Sequence, residues 1–343
     1  MRIATFVTWL IGAGLLAGLL VMNDAGKLFA AAWQLRGWLV VIALYHGVPL
    51  LFDVLGWRRL FERPPDFASL LRIRWMGEGV NGLLPVPHLG EVLRAKLPHD
   101  EGSDLTDAAT SVVGDVTIGL ATQIIFIATG LAYFSLRSRH DVLLRSALTI
   151  AALVLFGLQF YWAQRTRWFS RAAGAVGRFM GRARSLDGSW IRTVEDALHR
   201  LYGHRRAVAI AFVWRLLSWF AGAGEIWLVP YLLGHPISIG DAVTLESLSQ
   251  GARAAAFIIP GGLGVQDGTL MVLSQQLGLG GELGLVISLV KRFRELALGI
   301  PAVALAYSGE LRRWRRIAAQ AGSTRLSMPA MLGIMRGRSS RES

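Results

Sequence analysis

The chain has 343 residues, of which 53% are apolar and only 17% charged, with no cysteine and a formal charge of +13. A soluble domain of this length carries more charge, and without cysteine there are no disulfides, thiolate nucleophiles or cysteine metal sites. The basic excess lies between apolar runs, where it sets topology and meets anionic headgroups; no nucleic-acid module accompanies it.

Taken in chain order, the apolar runs describe an all-α polytopic membrane protein. A span needs about 20 apolar residues. The run 3–22 after Arg2 is long for a signal peptide, and Val21-Met22-Asn23-Asp24 lacks a small-x-small cleavage site, so it reads as a retained first span. Further spans are expected at 33–55, 106–134, 142–163, 206–233 and 282–308, making about six. The segments 68–100 and 240–279 are each interrupted by Pro and Gly and read as re-entrant helical hairpins. Between the halves, 164–206 carries ten Arg. Within it Trp168, Phe169, Ala172, Ala173 and Val176 recur at helical spacing, which suits either an amphipathic helix on the headgroups or a solvated linker. The expected organisation is one transmembrane domain over 1–319, with halves 1–163 and 206–311 around the linker 164–205. A basic tail over 320–343, rich in Gly, Ser and Arg, is expected to be disordered.

Charge orients this layout. Arg58, Arg59, Arg63, Arg72 and Arg74 follow the second span, the linker is basic, and Arg312, Arg313, Arg315 and Arg316 follow the last; the opposite loops are nearly neutral. With both termini cytoplasmic in a bacterial-type inner membrane, every strongly basic segment lies inside. The two hairpins then enter from opposite sides, the pattern of an inverted repeat.

Each hairpin centres on a helix break followed by an acid: Pro85, Pro87, Gly90 and Glu91 in the first; Pro260, Gly261, Gly262, Gly264 and Asp267 in the second. Interrupted backbone survives at membrane depth only inside protein or against water. A central charge costs about 2.5–3.5 kcal/mol on insertion scales, so each buried ion is either a structural salt bridge or part of a site. Three groups stand out. Glu78, Asn81, His88, Glu91 and Arg94 flank the first break; Glu91 can cap its helix or pair with Arg94. Glu246, Gln250 and Arg253 form one helical stripe before the second break, with Asp267 after it. Lys291, Arg292, Arg294 and Glu295 interrupt the last apolar run. Lys291 is expected to pair with Glu295, leaving Arg292 and Arg294 to meet Asp267, Glu246, Glu225 or an anion. Asp53 and Asp115 are expected at the interface, His46 as a satisfied bundle residue, and Arg215 and Glu225 with partners on other helices. No Walker loop, HExxH or GxSxG motif occurs, and no metal or cofactor is expected.

Asn81-x-Leu83-Leu84-Pro85, Gly90-Glu91-x-x-Arg94-Ala95 and Ile259-Pro260-Gly261-Gly262-Leu263-Gly264-Val265-Gln266-Asp267 together resemble the lysylphosphatidylglycerol synthase transmembrane-region family. Glu246 to Phe257 and Lys291-Arg292-Phe293-Arg294-Glu295-Leu296 look like its hopanoid-associated HpnL branch. The resemblance covers roughly residues 5–315. It implies a flippase-like protein that moves or binds a polar-headed lipid, with Asn81, Glu91, Arg94, Gln250, Arg253, Asp267, Arg292 and Arg294 as functional residues. Relatives usually carry Glu where Asp267 stands, and Pro87-His88 is atypical. The family's synthases add a soluble aminoacyl-transfer domain for which this chain has no room, so lysyl transfer is not expected. A lipid-modifying membrane enzyme using Glu91 and His88, and a non-catalytic scaffold of a lipid pathway, are the alternatives. Expected partners are anionic or polar-headed membrane lipids, a second copy of the chain or lipid-biosynthesis proteins, and no nucleic acid.

Overall fold

The computed structural model describes residues 2–84, 89–137, 188–256, 259 and 262–326, and every regular element among them is a helix. The helices are α1 (Arg2–Met22), α2 (Ala25–Gln34), α3 (Leu39–Tyr45), α4 (Gly47–Arg58), α5 (Phe67–Leu83), α6 (Leu89–Asp100), α7 (Leu105–Arg137), α8 (Gly188–Gly203), α9 (Arg205–Leu232), α10 (Ile239–Ala255), α11 (Val265–Gln276) and α12 (Gly281–Leu326).

Three stretches are long and apolar enough to cross a membrane: Leu39–Arg58, Leu105–Arg137 and Arg205–Leu232. A fourth is added if Leu10–Met22 and Ala25–Gln34, bent by 90°, count as one. The run 3–22 is therefore helical but qualifies only jointly with α2, and the span expected at 33–55 starts and ends later. The run expected at 282–308 lies within α12, whose charges Lys291, Arg292, Arg294 and Glu295 are clustered more densely than any inside the three spans. The span expected at 142–163 and the amphipathic stretch around 168–176 lie outside the described residues. α12 continues to Leu326, past the boundary expected near 320.

Both expected hairpins are helix–break–helix units. α5 starts at Asp66, whose carboxylate accepts from Ser69 N at 2.8 Å, and stops at Leu84 just before Pro85. α6 folds back along it so closely that a Cβ on Gly90 would lie 2.2 Å from Gly77 O. α10 starts at Ser238, which accepts from Asp241 N at 3.0 Å. At the second break Gly262 and Gly264 take φ of 61° and 77°, the left-handed region where a side chain is strained. Gly264 is also pressed against α1, where a Cβ would lie 2.3 Å from Leu15 Cβ.

Two apolar cores hold the bundle. One joins Ile42, Ile226, Val229, Leu245, Leu270, Ile287 and Val290; the other joins Val54, Trp57, Leu70, Ile73, Val112 and Ala211. On α9 the first core takes residues from 226 on and the second residues near 211, so Arg215 and Glu225 fall between them. His46 and Asp53 fall between Ile42 and Val54 in the same way, and Lys291 to Glu295 follow directly after Val290. The charges thus form a band between two hydrophobic layers. α8 docks on α7 through Val194 and Leu198 against Ala109 and Val113.

Gly90→Val should lower stability in detergent by about 1–3 kcal/mol through overpacking, read as a lower Tm. Gly82→Ala, whose added Cβ meets nothing within 4 Å, should keep or raise the Tm because it improves helix propensity.

Candidate functional site

At the second break Asp267 serves two purposes. Its Oδ2 accepts from Gly264 N at 2.7 Å and so caps α11. It also receives Arg292 in a two-pronged pair, Nε to Oδ1 at 3.1 Å and Nη2 to Oδ2 at 3.0 Å, while Ser288 Oγ donates to Oδ1. The short Asp arm suffices because α12 lies directly against the helix start. Arg292 Nη1 continues to Glu295 Oε2 at 2.7 Å, and Arg253 Nη1 reaches Glu295 Oε1 at 3.0 Å. One chain of ions therefore links α11, α12 and α10. Beside it, Lys291 donates to Glu246 Oε2 and Gln250 Nε2 to Glu246 Oε1 at 2.8 Å. The expected Lys291–Glu295 pair gives way to pairs between helices. An i,i+4 pair contributes only a few tenths of a kcal/mol, whereas ions this buried need close partners.

At the first break Asn81 straps the hairpin shut. Its Nδ2 donates to Glu91 Oε1 and Oε2 at 3.0 and 3.1 Å, and its Oδ1 accepts from Gly90 N at 2.7 Å. Arg94 turns away from the break. Its Nη2 meets Asp115 Oδ2 at 2.6 Å and its guanidinium lies 4.4 Å from the Trp57 ring centre. Arg74 Nη1 and Nη2 join Asp115 to Asp53 at 2.6 Å each, and Arg215 also reaches Asp53. Asp53 and Asp115 thus sit in a buried five-member cluster with Arg74, Arg94 and Arg215. Arg74, counted from the sequence as a loop charge, lies inside α5 and is 7% exposed.

A third group joins the two halves. His46 stands at the break between α3 and α4. Its Nε2 lies 2.7 Å from Glu78 Oε1, and Arg294 Nη1 points at its Nδ1. Arg294 Nε also lies 3.1 Å from Glu225 Oε1. Arginine can only donate, so His46 Nδ1 accepts and the ring proton sits on Nε2, donating to Glu78. Glu78 thereby leaves the first-break group expected for it and connects α5 to α12 through His46.

Pro85, Pro87, His88, Pro260 and Gly261 lie outside the described residues. Glu225 meets Arg294 as expected, Arg215 finds its partner on another helix in Asp53, and His46 is satisfied within the bundle; the sequence missed Asp53, Arg74 and Asp115 as members of this network. The available signal was the four-residue spacing of Arg74 and Glu78, which puts both on one face of the helix leading into the break. Among the described residues these charges pair with one another across helices. A cleft of about 770 Å³ lies elsewhere, between α2, the end of α9 and the α11–α12 turn, near Lys27, Gln34, His235 and Glu282. Among the described residues no cluster of His, Asp and Glu could hold a metal ion.

The model of the family described as the lysylphosphatidylglycerol synthase TM region matches residues 8–332. The chain belongs to this family. Membership makes it a membrane protein linked to lipid handling. Comparison with curated proteins and with solved structures gives no match. The family match takes in both hairpins and all of the ion band, so the network belongs to the shared domain rather than to an appended segment.

Asp115→Asn removes the shared partner of Arg74 and Arg94. It should destabilise the protein by about 3–5 kcal/mol, the usual cost of stranding a buried charge, seen as a large fall in Tm. Gln123→Ala, on the same helix but outside the network, should change the Tm far less.

Proposed function

We propose that this chain moves a polar-headed lipid between leaflets, the headgroup passing along the face of α12 that the two broken hairpins share. The carrying observation is the register on that helix. Ser288, Arg292, Glu295, Gly299 and Ala302 fall at i, i+4, i+7, i+11 and i+14, a single face. Asp267, just after the second break, bonds Ser288 and Arg292. Leu83, just before the first, presses on Gly299, and Gly79 lies against Ala302. From Arg292 to Gly299 is about 10 Å of helix axis at 1.5 Å per residue. Two helix breaks and an ion chain therefore meet one short length of α12, the arrangement in which broken helices form a transport site at mid-membrane.

In the empty protein Glu295 and Asp267 neutralise Arg253 and Arg292. Arg253 is the most exposed of these four, at 30% of its side chain. An anionic headgroup would meet it first and take over the place of Glu295, while the acyl or polycyclic tail stays in the bilayer. A hopanoid-type lipid falls within this reading through the resemblance of 246–257 and 291–296. An inner-membrane location with both termini cytoplasmic is part of the same proposal, as is association with a second copy or with lipid-biosynthesis proteins.

The test is transbilayer movement of tail-labelled fluorescent phosphatidylglycerol in phosphatidylcholine proteoliposomes. Arg253→Ala and Glu91→Gln should each slow it about tenfold or more, the equivalent of 1.4 kcal/mol. Arg253→Ala leaves Glu295 paired with Arg292, so loss of transport there is not loss of fold. Unchanged movement in both variants would exclude this path.

A further inference from the structure

The His46–Glu78–Arg294–Glu225 group adjoins the headgroup path through Arg294, next to Glu295 on α12, and has its own chemistry. We infer that His46 is a proton-binding site that couples anion binding to proton uptake, so that one proton travels with each anionic headgroup. This rests on the translocase reading above and deepens it by naming the driving ion and the charge class of the cargo.

The hydrogen bonds fix what a proton would do. In the structure Nδ1 of His46 is an acceptor facing Arg294 Nη1, and Nε2–H faces Glu78. A proton added to the Nδ1 lone pair turns that acceptor into a donor. Arg294 Nη1–H and His46 Nδ1–H then confront each other and the contact breaks. The new N–H has an acceptor waiting, because Glu225 Oε2 lies 3.9 Å from Nδ1. Arg294 is left with Glu225 alone and a free donor edge.

The setting favours this reading over a merely structural histidine. His46 lies between α3 and α4 inside the Leu39–Arg58 stretch, roughly 12 Å of helix axis from its start at 1.5 Å per residue. Its partners are graded in exposure: Glu78 has 46% of its side chain exposed, His46 17% and Glu225 5%. Glu78 is thus the most accessible member of the group and Glu225 the most buried. Every element around the ring contributes a charge. Glu78 and Arg74 come from α5, Glu225 and Arg215 from α9, Arg294 from α12, and Asp53 from α4; Asp115 of α7 acts through Arg74. Tyr45 precedes His46, and its hydroxyl is occupied by Ala221 O at 3.0 Å.

Charge balance supplies the coupling. Lys291 with Glu246, Arg294 with Glu225, and Arg253 and Arg292 with Glu295 and Asp267 are matched acid for base. An anion entering alone would add an uncompensated charge to this band, which costs several kcal/mol in a low-dielectric site. An anion entering with a proton on His46 leaves the sum unchanged, and the freed edge of Arg294 becomes available to it.

The experiment has two arms on the intact protein. In weakly buffered detergent solution containing pyranine, adding phosphatidylglycerol should cause proton uptake, and its affinity should weaken about tenfold for each unit of pH where one proton is linked to binding. Phosphatidylcholine, with no net charge, should cause no uptake. In phosphatidylcholine proteoliposomes, a pH gradient should accelerate movement of tail-labelled phosphatidylglycerol from the acidic side. His46→Gln, which reproduces the neutral ring's donor and acceptor, should abolish both the uptake and the gradient response. Movement without uptake or gradient response in the wild type overturns the proton site and leaves the translocase reading standing. Uptake without movement does the reverse. A fully retained gradient response in His46→Gln also overturns the assignment to His46.

Discussion

A charged side chain held away from water needs a counter-charge in contact with it, and that requirement organises this molecule. Seven basic side chains, Arg74, Arg94, Arg215, Arg253, Lys291, Arg292 and Arg294, come from five helices; Arg74 and Arg94 sit among residues of the second apolar core, and Arg215 and the α12 charges lie between the two cores. None could stay ionised there without an acid from another helix at 2.5–3.1 Å. Each pair therefore fixes where two helices meet, and the hydrophobic residues above and below complete packing that the ions have already registered. Association driven by apolar burial alone is weak in a bilayer, since lipid tails are as apolar as leucine. Ion pairs supply directionality that leucines cannot.

The same requirement explains what could be read from the residues and what could not. Both hairpins were legible because Pro and Gly interrupt otherwise continuous apolar runs, and only special backbone survives at those points. Partners for Arg292 and Arg294 were legible because no local acid remained once Lys291 was set against Glu295. The actual choice, Lys291 to Glu246 and Glu295 to both Arg253 and Arg292, depends on which faces of α10 and α12 meet, and that is a tertiary property. Asp53 and Asp115 were not recognised as cluster members because their closeness to the ends of apolar runs suggested an interface. Depth along a helix does not reveal that three guanidiniums from other helices surround the position. Arg74 was taken for a topogenic loop charge because helix α5 starts well before the apolar run becomes evident. The four-residue offset to Glu78 was the clue that α5 was already under way.

Two features make this band more than a set of struts. First, the polar side chains at the breaks have double duties: Asp267 caps a helix and holds Arg292, and Asn81 binds the Glu91 carboxylate and a backbone amide at once. Breaking either contact disturbs the backbone as well as the charge. Second, the pairs form chains rather than isolated couples, so a ligand that takes one partner leaves the next ion to be satisfied by its neighbour. Such chains can change partner in steps without exposing a bare charge to lipid.

The contact of α1 with the second break gives the amino-terminal helix a part beyond anchoring. Gly12 is packed so tightly on Ile259 and Leu263, and Gly264 on Leu15, that an extra carbon at either glycine would fall within 3 Å of its neighbour. The turn that carries Asp267 cannot swing outward while α1 stays where it is. Any widening of that end must carry the first helix along as a rigid flap, hinged at the right-angle bend into α2.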